Sequence, residues 1–512
     1  MASDQVRVTT RHTLHCANEA TVDTLESPFC LGPMDYIVPS TLPIEAIFVY
    51  KKPLSSPPDK FFVVDRLKQA ISHLLDYYPH LTGRLQQNPT THAPEICHLG
   101  AGVDLWEACC SVTLRSIAAS SLSGRIITPK LPGDGDALLP IFHATVGSIS
   151  HNAIFAIQLT RFACGGVSLG IRIHHQVCDA QGFFQVVRDL AEIYRQLRDS
   201  SPPTLVYPPE IRSHFRSSGK LSPKTENQAP AFKPPDFYLQ SEDDEDVLEE
   251  STDEVTAEVT ARVLRFSGAD LLALKEAATN PDPWSNTRVS TFEALSAYLY
   301  QRVYQAKVQL LESYGMSAQE LQCQPLRKFL TAMDMRDPDR LNLPPHYLPN
   351  AVYCPSTQSS HEHLMGRELY HVAYNIHDTI RSVDVMDVKQ QFQWIAAQPD
   401  QSRVKPTDEF TEGNLIVSQW TRENTYVGVD FEVRRNGRPV SPSLVSPPLS
   451  GPYLMDGLAM VISTDEKAVT DRVNSDRPAG SRNPYALDVN LALNDEIWPF
   501  LDRDINFLKY IS

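Results

Sequence analysis

Hydrophobic positions along the chain fall into runs with two periods, separated by proline-rich and charged stretches. Val6–Arg11 and Ala46–Tyr50 read as strands, the second closed by Lys51, Lys52 and Pro53. From Val64 to Tyr78 the apolar residues Leu67, Ala70, Ile71, Leu74 and Leu75 recur at i, i+3, i+4 and i+7. That spacing predicts an amphipathic helix, started near Asp65 and stopped by Pro79. The stretch from His98 to Ile127 shows no single period. Ile141–Thr145, Ala153–Phe162 and Val167–Ile173 read as strands, the last two joined by a turn at Gly165 and Gly166. Phe183–Leu197 carries Phe184, Val187, Leu190, Ala191, Ile193 and Tyr194 on one helical face.

Periodicity then stops. Ser200–Glu254 is rich in proline, serine and charge and reads as a crossover. It resumes with a strand at Val255–Phe266 and a helix at Ser267–Ala278. A longer helix follows at Thr291–Gln309, where Ser290 and Glu293 have the spacing of a capping box. Lys328–Met335, Ala351–Cys354, Leu415–Trp420, Val427–Val433, Gly457–Ser463 and Tyr485–Leu493 read as strands, and Leu364–Val383 and Asp495–Asp502 as helices. The pattern predicts a mixed α/β chain of two similar halves, residues 1–200 and 255–512, joined by a crossover at 201–254. A length of 512 residues is too great for one ordinary core, which also favours two large domains.

Composition narrows the classes. Hydrophobic content of 42% and charged content of 21% are those of a globular protein, and no apolar run reaches the ~20 residues that span a bilayer. The first residues lack the basic start and apolar core of a secretory signal. Nine cysteines without CxxC pairs predict reduced thiols in a cytoplasmic setting and no metal site. The net charge of −16 is concentrated, with nine acidic residues between Glu242 and Glu254. Such a block repels itself and has little to bury, so it reads as a solvated loop. There is no basic stripe for a nucleic acid.

The candidate chemistry lies where the Val167–Ile173 run ends in His174 and His175, with Asp179 four residues beyond. A strand that stops at a histidine can present the imidazole to a cleft, and imidazole is suited to moving protons near neutral pH. Two other patterns are weaker. Gly166-Val167-Ser168-Leu169-Gly170 matches a nucleophile elbow, but a strand follows it where the elbow needs a helix. Cys178 sits between His175 and Asp179 without a separate oxyanion signal. No Gly-rich phosphate loop is present.

His175-Gln-Val-Cys-Asp179, preceded by Cys164-Gly165-Gly166 and a strand, resembles the H-x-x-x-D motif of the BAHD acyltransferases, members of the CoA-dependent acyltransferase superfamily. Further matches follow in the right order. Ser27–Asp35 resembles the early S-x-x-D segment, and Tyr78–Leu85 the Y-P-x-x-x-G-R-L segment. Val289–Ala297 resembles the helix that opens the second domain, and Asp334-Met335-Arg336 with Pro344-Pro345 the D-x-R loop. Ser418-Gln419-Trp420 and Asp430-Phe431 resemble the S-W strand and the start of D-F-G-W-G. Two motifs depart. Glu432-Val433-Arg434 stands where the family has Gly-Trp-Gly, and Tyr347-Leu348-Pro349-Asn350 where it has Tyr-Phe-Gly-Asn. The acidic crossover and divergent loop are more similar to fungal members such as the trichothecene acetyltransferases.

The resemblance implies the chloramphenicol-acetyltransferase-like two-domain fold and an O- or N-acyltransferase acting on a small metabolite of specialised metabolism. His175 is implied as general base, and Asp179 as a residue turned away to pair with Arg336, Asp430 supporting the fold. Ser418, Trp420 and Asp35 are acceptor or oxyanion candidates. Arg288, Ser290 and Thr291, at a helix start, are candidates for the CoA phosphates. Acyl-CoA, acetyl-CoA among its forms, is then a co-substrate, with no tightly bound cofactor and a monomer expected. A histidine between two domains would let CoA arrive from one face and the acceptor from the other. Two alternatives share the motif: a condensation-type enzyme using carrier-protein thioesters, and a non-catalytic binding protein on the same fold.

Overall fold

The computed structural model describes residues 5–54, 56–57, 60–121, 123–143, 146–198, 202–215, 232–241, 258–282, 284, 288–323, 328–407, 414–434, 436–451, 454–467 and 485–512. Its architecture is α/β, built on two mixed six-stranded sheets. The first runs in the order Val6–Leu14, Val103–Cys110, Phe155–Phe162, Val167–His174, Pro43–Tyr50, Leu444–Ser446. The second runs Val259–Phe266, Leu487–Asn494, Leu458–Ser463, Leu415–Gln419, Phe329–Thr331, Ser356–Thr357. The helices Val64–Leu75 and Ala180–Gln196 bury their apolar stripes in the first core, and Thr291–Ser313 lies in the second.

The halves interlock. Leu444–Ser446 belongs to the C-terminal half, yet it pairs antiparallel with Pro43–Tyr50 in the first sheet. Without it, the buried Pro43–Tyr50 strand would present an open edge of unpaired backbone groups. Trp420, Tyr426, Val429, Phe431 and Val440 also pack into the first core.

Several elements differ from the sequence pattern. Ile141–His143 is irregular and Ile141 is exposed, because Phe155–Phe162 already has Val103–Cys110 and Val167–His174 as its two neighbours. Val103–Cys110 itself is a strand hidden in the aperiodic His98–Ile127 stretch. Val427–Val433 is not a strand: Gly428 takes φ +76° in a turn, and Val429, Phe431 and Glu432 are buried. The Leu364–Val383 helix breaks at Gly366 into His361–Met365 and Leu369–Arg381. Asp495–Asp502 keeps only one helical turn, Trp498–Leu501. Within the crossover, Phe237–Leu239 forms a strand with Val404–Pro406. The acidic stretch 242–254 lies outside the described residues. Among the described residues no helix is long and apolar enough to cross a membrane.

Candidate active site

The Val167–His174 strand is buried along its length and is held in register on one side by Pro43–Tyr50, Pro43 facing His174. Beyond it the chain turns. The backbone N–H of His175 donates to Leu42 O at 3.1 Å, and that of Val177 to His174 O at 2.9 Å. Asp179 then caps the Ala180–Gln196 helix, its Oδ1 accepting from Gly182 N at 3.1 Å. A methyl group on residue 182 would lie 2.4 Å from Leu348 O, so glycine alone lets the helix start approach the Tyr347–Asn350 segment.

The Asp179 carboxylate is consumed there. Arg336 meets it with two hydrogen bonds of 2.9 Å, and Ala351 N donates to it at 2.8 Å. The remaining Arg336 donors go to Asp334 Oδ1, Tyr347 O and Pro349 O, so all five of its N–H groups are used. The result is a buried knot tying the loop after His175 to the D-x-R segment and to residues 347–351. Bidentate carboxylate pairing of this kind is the geometry for which a planar guanidinium is suited.

His175 stands above the knot. Burial pushes its pKa below the ordinary value, against a backbone contact of its own, the Asp179 charge and the Asn350 side chain. The imidazole is therefore neutral at pH 7, as a base must be. Its Nδ1 is buried and has no hydrogen-bond partner. His174 is different: Nε2 donates to Ser40 O at 2.8 Å and Nδ1 accepts from Gln176 N at 3.3 Å, with burial pushing its pKa down to about 4. Both its nitrogens serve the fold. Cys178 is buried with a thiol pKa raised far by burial, which removes the thiolate a nucleophile needs. Ser168 is the second residue of the strand and fully buried, not on an exposed elbow.

The other candidates separate. Asp35 is 1% exposed, and its carboxylate accepts from Gly32 N at 2.8 Å, Asn350 N at 3.0 Å and Asn350 Nδ2 at 2.8 Å. Asp35, expected from the sequence as an acceptor or oxyanion candidate, thus has both carboxyl oxygens hydrogen-bonded within the protein. Trp420 is buried with its ring edge-on to Phe184 at 5.4 Å, which makes it a core residue, while Ser418 is half-buried on the Leu415–Gln419 strand. Arg288 is exposed, and Thr291 opens the helix. Ser290 and Glu293 close a reciprocal capping box, so a carboxylate already sits at that helix start and disfavours phosphate there. Asn350, whose side chain links Asp35 to His175 O at 2.9 Å, is the residue that sequence reasoning missed; its survival in the altered Tyr-Phe-Gly-Asn motif was the available signal.

A model of the Transferase family matches residues 5–460. The chain belongs to that family, the BAHD acyltransferases. It is 23% identical to shikimate O-hydroxycinnamoyltransferase of Nicotiana tabacum over 76% of this chain and 80% of that one. It is 24% identical to spermidine coumaroyl-CoA acyltransferase of Arabidopsis thaliana over 50% of each. Among solved structures, F. sporotrichioides TRI101 complexed with coenzyme A and T-2 superposes with a TM-score of 0.65 at 18% identity, over 94% of this chain and 99% of that one, a likeness of fold.

Within the BAHD pattern, the Asp430 loop is the main departure, and its residues explain how it stays seated. Arg195 pairs with the Asp430 side chain and donates to its carbonyl, and Tyr50 Oη donates to Val429 O at 2.6 Å. Glu432 is 5% exposed and accepts from Phe62 N at 3.1 Å, from Tyr194 Oη at 2.7 Å and from Arg198. A buried carboxylate thus anchors the position at which the family has glycine. Glu432→Gly should strand those donors and cost about 3–5 kcal/mol, seen as a lower urea midpoint at unchanged slope. A variant as stable as the parent would show that the loop is held by its apolar residues alone.

Proposed function

We propose that this protein moves an acyl group from CoA to a hydroxyl or amine of a small specialised metabolite, with His175 as general base and no covalent acyl-enzyme. The observation that carries the reading is the division of labour around His175: a neutral imidazole left over a knot that has already claimed Asp179. His175 Nε2 takes the acceptor's proton as the acceptor atom attacks the thioester carbon. The carbon–sulfur bond then breaks, and the proton passes to the departing thiolate. Ser418, half-buried on its strand, remains the candidate donor to the oxyanion. Arg288 is the candidate partner of a CoA phosphate, with Thr291 secondary. The relatives' names support both acceptor types, one a shikimate O-acyltransferase and one a spermidine acyltransferase. A cytoplasmic monomer fits this reading.

The donor separates the proposal from its alternatives. Incubation with a panel of acyl-CoAs, acetyl-CoA included, and a metabolite extract should give acyl mass shifts and release free CoA. Turnover only with an acylated carrier protein would replace the proposal by condensation chemistry. Ligand binding without turnover across the panel would make the protein a binding module.

A further inference from the structure

The site holds two buried polar atoms without partners, and they belong to residues that already touch: Nδ1 of His175 and Oδ1 of Asn350. The orientation of the Asn350 amide is not free. Its nitrogen lies 2.8 Å from Asp35 Oδ1 and 2.9 Å from His175 O. Both are acceptors, so only the NH₂ group fits between them, and each of its hydrogens has a use. Oδ1 must then point elsewhere, and it is left with a vacant acceptor site in a buried pocket, a costly state unless a donor can reach it. The donor at hand is a proton on His175 Nδ1. Three groups act on the imidazole against burial, in order its own backbone, the Asp179 charge and the Asn350 side chain, and neither the backbone contact nor the amide contact reaches a full hydrogen bond.

We infer that Asn350 is a positioning residue for the base: its Oδ1 accepts the Nδ1–H of His175 and so leaves the Nε2 lone pair bare toward the substrates. This rests on His175 being the general base. The backbone N–H of Asn350 also donates to Asp35, which clamps the amide in place from behind. A neutral amide suits this role. It selects the tautomer without adding a charge beside the ring, so the imidazole keeps the low pKa that leaves it unprotonated at neutral pH. A carboxylate at the same point would fix the tautomer too, and would also hold a second proton on the ring.

The test reads the tautomer directly and then perturbs it. In protein labelled with ¹⁵N-histidine, comparison with His175→Gln identifies the His175 signals among the sixteen histidines. At pH 7 the proton is expected on Nδ1, with Nε2 bare. Asp179 and His174 act on the ring directly, and Asp35 on the Pro33–Tyr36 helix, Asp334 and Arg336 on the D-x-R segment, and Glu423 after Trp420 act on Asp179 or its partners. Of these, Asn350→Asp also alters Asp35: the Asn350 amide donates to it at 2.8 Å, and burial already pushes its pKa up to about 7, so the new carboxyl is fully charged only above the pH at which the two acids share a proton. That variant should raise the pH at which His175 takes its second proton by about one unit or more, and the acid limb of kcat/KM should move with it. Asn350→Ala should lose the Nδ1–H preference and lower kcat by about 10²-fold with little change in KM. A parent spectrum with the proton on Nε2 would overturn the inference even if neither variant folds. So would an Asn350→Ala protein whose His175 tautomer and kcat matched the parent's. An Nδ1–H tautomer together with full activity in His175→Gln would leave the hydrogen bond standing and remove instead the reading of His175 as base.

Discussion

His175→Ala is expected to lower acyl transfer by at least ~10²- to 10⁴-fold, the usual contribution of a positioned general base, while the protein stays folded. What ties residue 175 into the structure is its backbone, through Leu42 O and the Asn350 amide, and an alanine keeps both contacts. The pH dependence has a definite sign. Burial lowers the His175 pKa, so the active neutral ring persists to a lower pH than an exposed histidine would allow. The acid limb of kcat/KM should therefore fall below pH ~6.5, the ordinary histidine value. Steady-state kinetics on the folded variant, checked by circular dichroism, decide the matter. Parent-like turnover in His175→Ala would end the general-base reading.

The second large effect is expected from Asp179→Asn, and it should appear first as lost stability. The substitution removes the buried one of the two carboxylates that balance Arg336 and leaves the guanidinium with Asp334 and a neutral amide. Breaking one side of such a pair costs about 3–5 kcal/mol. The loop carrying His175 hangs from the same knot through Ala351 N and Gly182 N, so rate should fall together with loop order. Replacing both partners, as Asp179→Leu with Arg336→Met, should recover part of the stability, because the buried guanidinium goes with its buried carboxylate and only the half-buried Asp334 loses a partner. Urea unfolding of the single and double variants measures the coupling. A stable Asp179→Asn protein altered only in the pH dependence of turnover would instead make Asp179 part of a proton relay with His175.

How much of this was legible in the chain depended on the range of the interaction. The 3.6-residue stripe at Val64–Leu75, the capping boxes at Ser267 and Ser290, and the strand ending at His174 are local, and local spacing disclosed them. Val103–Cys110 was hidden because Val103 and Leu105 are buried on one face and Trp106, Ala108 and Cys110 on the other, which breaks the alternation midway. Val427–Val433 misled because alternation is also what a turn shows when it buries two apolar side chains, Val429 and Phe431.

The motif set by itself determined the family and fold, and it placed His175 and Asp179 at the end of a strand, since these follow from residue order and short spacing. What the carboxylates do was decided only in three dimensions. Asp35, Asp179 and Glu432 look alike in sequence, as acids near motifs. Folding brings Asn350 to the first, Arg336 to the second, and Phe62, Tyr194 and Arg198 to the third. Those partners lie from 157 to 370 residues away, with Arg198 at 234. A buried charge is defined by the donors that surround it, and donors so distant in sequence leave no local pattern from which to read them.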